Sequence, residues 1–227
     1  MALPMQLRMP MSEQLTRLGL PGKERMETAI KMALLLMIVF TLSGVTWSRN
    51  LLWRDPIALM QDTARKSPLN VRAWYNLAQA YEARGKFNEA VGKYETVIKL
   101  QPDHVQAHNN LGNIYLTLGA FEDAIREFQT ALRLKPDAPL THDNLGYIYF
   151  KQGRLNEAVR EYQIAIELAP DRAEIHNNLG YAYFTQGRFD DADNEYRTAL
   201  RLKPDFPQAR YNREILKETM SRAHRRE

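Results

Sequence analysis

Residues 105–138 read VQAHNNLGNIYLTLGAFEDAIREFQTALRLKPDA, and this stretch decides the fold. Leu111, Ile114, Tyr115 and Leu118 fall at i, i+3, i+4 and i+7, one face of a helix. Ala124, Ile125, Phe128, Ala131 and Leu132 make the same stripe on a second helix. Gly119 lies between them, where a helix C-terminus needs positive φ. Pro136 closes the pair, because proline cannot continue a helix.

Outward from this stretch the same residues return every 34 positions. Prolines stand at 68, 102, 136, 170 and 204. Gly85, Gly153 and Gly187 match Gly119, while Leu77, Leu145 and Leu179 match Leu111. Tyr81, Tyr149 and Tyr183 match Tyr115, and Ala90, Ala158 and Ala192 match Ala124. The pattern predicts that Asn88, Asn156 and Asp190, with Glu122 in their place in the second unit, open the second helices. Asp103, Asp137, Asp171 and Asp205 stand before the first helices, where an acid suits the N-terminal dipole. Small residues such as Ala90 and Gly112 let helices approach closely, and Tyr115 and Phe128 fill the space beside them. One such hairpin cannot bury its own apolar face, so neighbours must stack into a solenoid.

These residues form the pattern W/H-x-x-L-G-x-x-Y…G…A-x-x-x-F/Y-x-x-A…P, which resembles the tetratricopeptide (TPR) repeat. The likeness covers 71–206, with Ala78 and Val97 as mild departures in the first unit. It implies an all-α, right-handed TPR superhelix with repeats at 71–104, 105–138, 139–172 and 173–206. Residues 49–70 read as a juxtamembrane segment and capping helix, with Ile57, Met60 and Ala64 on one face. Residues 207–227 read as a closing helix and basic tail, and 1–28 as a flexible lead.

With 44% hydrophobic residues the chain can build a core, and with no cysteine it has no disulfide or thiolate site. Net charge is +4 over residues 1–54, −3 over 55–206 and +3 over 207–227. A nucleic-acid binder would carry its basic excess on the folded domain, so nucleic acid is not expected as a partner. No hydrolase, zincin, phosphate-loop or dinucleotide motif occurs, so no catalytic residues, enzyme activity or cofactor are assigned. His108, His142 and His176 recur at the period and replace Trp74. One repeat step of ~10 Å separates neighbours, too far for one ion to be held by bonds of ~2.0–2.1 Å. They read as packing residues, and no metal site is expected.

Lys31 and Arg49 bracket seventeen uncharged residues, MALLLMIVFTLSGVTWS. As a helix they span ~26 Å against a ~30 Å hydrocarbon core, with Trp47 and Trp53 where an interfacial belt belongs. A single transmembrane helix at 29–48 is expected. A cleaved signal peptide is the other reading, stronger if translation starts at Met26. Flanking positive charges are nearly balanced. The stretch LLWRDPIALMQDTARKSPLNVRAWYNLA is similar to juxtamembrane regions of membrane proteins with TPR tails outside the cytoplasm. That likeness implies a periplasmic array in a bacterium.

Asn76, Asn110, Asn144, Asn178 and Asn212 keep the 34-residue step. Asparagine is a poor interior helix residue, so its repetition asks for a reason. In related superhelices the position faces the concave groove, where an amide can meet an extended peptide backbone. The other reading is that each amide bonds within its own array. By family position the groove also holds Asn109, Asn113, Tyr147, Phe150, Asn177, Tyr181 and Phe184, with an aromatic end in the third and fourth repeats. The resemblance therefore implies a membrane-anchored adaptor holding an extended segment of a partner protein. A self-assembling structural subunit is the alternative. Lys/Arg clamps of chaperone-binding relatives are absent from the matching positions.

Overall fold

The computed structural model describes residues 23–224 of the 227-residue chain, and among them it has helices and no strand. The described helices are α1 (Lys23–Arg54), α2 (Pro56–Lys66), α3 (Val71–Ala83), α4 (Phe87–Leu100), α5 (Val105–Thr117) and α6 (Phe121–Leu134). They continue with α7 (Pro139–Lys151), α8 (Leu155–Leu168), α9 (Ala173–Thr185), α10 (Phe189–Leu202) and α11 (Pro207–His224). The chain divides into two units, residues 1–59 and 60–227. Residues 1–22, most of the lead read as flexible, and 225–227 of the basic tail lie outside the described residues, as do the side chains of Trp47 and Trp53.

In the first unit, Met26–Ser43 of α1 has a mean hydropathy of 1.7 and none of it is buried. Phe40 is 82% exposed. At a rise of ~1.5 Å per residue the window is ~27 Å long. It is the one helix among the described residues long and apolar enough to cross a membrane.

In the second unit, four helix pairs repeat one construction. Each first helix ends on a glycine with φ between 69° and 75°. At the first turn, Gly85 N–H donates to Glu82 O at 2.8 Å and Lys86 N–H to Tyr81 O at 3.0 Å. This pair of hydrogen bonds closes the helix end and fixes the exit of the chain. The same pair recurs at Gly119 and Ala120, Gly153 and Arg154, and Gly187 and Arg188. Because the turn is so short, the second helices begin sooner than the sequence suggests. Asn88, Glu122, Asn156 and Asp190 lie at their second residue, and the caps are Lys86, Ala120, Arg154 and Arg188, without a side-chain bond. The acids there face the positive end of the helix from inside its first turn.

The core of the second, third and fourth pairs is an aromatic ring over a glycine, and in the first pair Ala78 stands at the glycine position. A Cβ on Gly112 would lie 2.7 Å from the Phe128 ring, on Gly146 2.7 Å from Tyr162, and on Gly180 2.8 Å from Tyr196. Tyr94, Phe128, Tyr162 and Tyr196 are all buried, as are Leu77, Leu111, Leu145 and Leu179. From α6 onward the helices share one continuous core that runs from Ala124 to Leu216.

A second ladder ties each second helix to the next first helix, twenty residues on. Gln129 donates to Tyr149 Oη at 3.4 Å and Gln163 to Tyr183 Oη at 2.9 Å. Gln61 of α2 donates to Tyr81 in the same register. Helix α2 therefore stands in the place of a second helix before the first repeat.

Candidate functional site

The histidine series sits between each hairpin and the loop before it. His108 Nδ1 meets Glu127 Oε2 at 2.6 Å and its Nε2 meets Pro102 O at 3.0 Å. His176 meets Glu195 at 2.6 Å and Pro170 O at 3.0 Å, and His142 meets Glu161 at 2.7 Å. Trp74 Nε1 donates to Pro68 O at 2.9 Å, and Lys93 lies 5.5 Å from its ring centre in the place of the glutamate. Arg210 donates to Pro204 O at 3.1 Å. This position is a strut, linking the proline turn, the first helix and the second. Both nitrogens of His176 face acceptors, which the doubly protonated ring satisfies. The Glu195 carboxylate accordingly raises the pKa of His176, against the effect of burial. Among the described residues no three His, Asp or Glu gather as a metal site.

The asparagine series joins first helices of successive repeats. Asn110 Nδ2 donates to Tyr75 Oη at 3.2 Å and Tyr94 Oη at 2.9 Å. Asn178 donates to Asp143 Oδ1 at 2.9 Å and Asn212 to Asn177 Oδ1 at 3.0 Å, each 35 residues back. Asn144 turns instead to Asn113 Oδ1 at 2.8 Å, because Asn109 Oδ1 accepts from Thr141 at 2.9 Å. These amide nitrogens brace neighbouring hairpins, which is the second of the two readings open in the sequence. Asn76 is exposed, and Asn177 is buried. Burial raises the pKa of Asp143, and the Asn178 amide opposes that shift.

Beside the asparagines runs an aromatic wall. Phe150 and Tyr181 have ring centres 5.2 Å apart, and Tyr181 and Phe184 6.4 Å apart. Tyr147 and Tyr181 are 43% and 44% exposed, and Tyr211 of α11 is 68% exposed. A pocket of about 370 Å³ opens at the C-terminal end of the wall. Asn177, Asn178, Tyr181, Phe184, Tyr196, Tyr211, Asn212 and Ile215 line it. The Tyr196 hydroxyl is buried there and makes no hydrogen bond among the described residues. The structure thus brings Phe150, Tyr181 and Phe184 together, and Asn177, Asn178 and Asn212 beside them. Tyr196, Tyr211 and Ile215 escape the reading by family position. The signal for Tyr196 lies in the period. Tyr94 donates to Glu82 Oε2 at 2.5 Å, but the matching residue twelve before Tyr196 is Phe184.

A stack of paired helices on a 34-residue period, with glycine turns and aromatic-over-glycine cores, defines a helical-repeat protein. Residues 53–91 and 75–139 match the family described as "Tetratricopeptide repeat", and 146–187 and 180–213 match "TPR repeat". Together these cover more than half of the chain, which belongs to the tetratricopeptide-repeat family. No curated protein matches it. Solved structures of similar fold include MamA from Desulfovibrio magneticus, at TM-score 0.62 and 21% identity over 70% of this chain and 92% of that one. Another is YrrB, described as a TPR protein with an unusual peptide-binding site, at TM-score 0.63 and 19% identity over 71% of this chain and 84% of that one. PilF of Pseudomonas aeruginosa matches at TM-score 0.60 and 22% identity over 67% and 69%. These likenesses establish the fold, an all-α TPR superhelix.

Proposed function

We propose that this protein is a membrane-tethered interaction module that holds an extended segment of a partner protein against the wall of its first helices. The aromatic run of exposed Tyr147 and Tyr181 with half-buried Phe150 and Phe184 carries the reading. Flat side chains in line offer contact area at low entropic cost, and soluble surfaces rarely expose such a run without a partner. YrrB, with its peptide-binding site on the same fold, lends support. The asparagines enter this reading chiefly as braces that hold the wall in register, with their carbonyl oxygens and, at Asn144, Asn178 and Asn212, one remaining N–H left to meet a peptide.

The exposed apolar window Met26–Ser43 supports a bilayer anchor, which raises the local concentration of partners at the membrane. The array lies on the periplasmic side of a bacterial membrane in this reading, and the protein has no catalytic role. Photo-crosslinkers placed in the full chain at Tyr147 and Tyr181, or at the exposed outer residues Arg126 and Arg160, test it in native membranes. The proposal expects the chain in the membrane fraction and one protein trapped from the wall positions alone. Equal capture from both faces, or none from the wall, removes the adaptor reading.

A further inference from the structure

The pocket beneath the closing helix has a polar group that its counterpart in the first repeat does not leave idle. Tyr94 donates to Glu82 and accepts from Asn110, sixteen residues on. At Tyr196 both partners are gone. Phe184 stands where the glutamate would be, and Asn212, sixteen residues on, donates instead to Asn177. Its hydroxyl is left buried at the edge of a cavity, and a buried hydroxyl without a partner is unfavourable until something bonds to it. Burial also raises its pKa, so it stays a neutral O–H that can donate or accept.

The walls around it are uncharged. Tyr181, Phe184, Tyr211 and Ile215 supply apolar and aromatic surface, and Asn178 and Asn212 supply polar edges. Each amide nitrogen already gives one N–H within the array, leaving its second N–H and its carbonyl oxygen for a ligand. A charged side chain entering here would lose water and find no counter-ion among the lining residues. A purely apolar one would leave Tyr196 unsatisfied. A phenol meets both demands, because its ring packs on the aromatic wall and its hydroxyl bonds at the floor.

We infer that the cavity between α9, α10 and α11 is the anchor subsite of the wall, and that it takes a tyrosine side chain of the bound segment. The inference rests on the interaction reading above and adds the chemistry of the residue selected. The test uses the full chain in detergent and three probes, acetyl-Gly-Gly-X-Gly-Gly-amide with X as Tyr, Phe or Gln, titrated by ligand-observed NMR. The tyrosine probe should bind about 3–10-fold tighter than the phenylalanine probe, the range of one hydrogen bond. Tyr196→Phe should abolish that difference while keeping the fold, since Phe128 already fills the matching place over Gly112. Phe184→Ala should weaken both aromatic probes. Phe or Gln binding as tightly as Tyr, a Tyr preference untouched by Tyr196→Phe, or no binding of the tyrosine probe would each overturn the subsite. Wall-specific crosslinking to a partner would survive those results, so the two proposals fail separately.

Discussion

Gly153 shows what a single residue must do in this array. Its φ is +74°, and a Cβ there would meet nothing within 4 Å, so conformation alone dictates glycine. Gly153→Ala should cost about 1–2 kcal/mol, the penalty of an L-residue in the left-handed region. A lower denaturation midpoint at unchanged slope would report it. This residue is legible in the sequence because its period marks it and only one turn geometry suits it. Asn178 and Asn212 are legible as a series but not as braces, since a sequence shows that an amide recurs and not where it points. Tyr196 is harder still. Its character comes from Phe184 and Asn212, one behind it and one ahead, and emerges only when each repeat is compared with the first.

Among elements, the strut between α9 and α10 links stability to pH. The native pKa of His176 is raised, mainly by the hydrogen bond that its ring gives to the Glu195 carboxylate. A raised native pKa stabilises the fold fully below the free imidazole value of about 6.5 and loses that contribution as pH climbs through the native value. Thermal melts should therefore fall between pH 6 and pH 8.5, where no carboxylate with an ordinary pKa titrates. Glu195→Gln should flatten that slope, and an unchanged slope would assign the pH dependence elsewhere. The second helices were legible as elements from their apolar stripes. Their starts were not, because the paired hydrogen bonds at each glycine turn put Lys86, Ala120, Arg154 and Arg188 at the cap position, and none of these makes a side-chain capping bond that a sequence would advertise.

At the scale of the whole molecule, stability is a sum over neighbours. Helix α11 places Leu216 fully buried in the shared core and Asn212 on Asn177. Deleting residues 207–227 should remove amide-exchange protection first from α9 and α10 and leave α3 to α6 protected. Burying one leucine alone is worth about 1.5–3 kcal/mol, so the loss should be measurable. Uniform loss of protection would mean that the array unfolds as one body. The bonds that hold the repeats together span fixed distances along the chain, six residues from strut to proline carbonyl, nineteen from His176 to Glu195 and twenty from Gln163 to Tyr183. A one-residue insertion inside a helix breaks that arithmetic on both sides of it. A duplicated block of 34 leaves every offset intact, so a gene encoding this chain can grow or shrink by whole modules far more readily than by single codons.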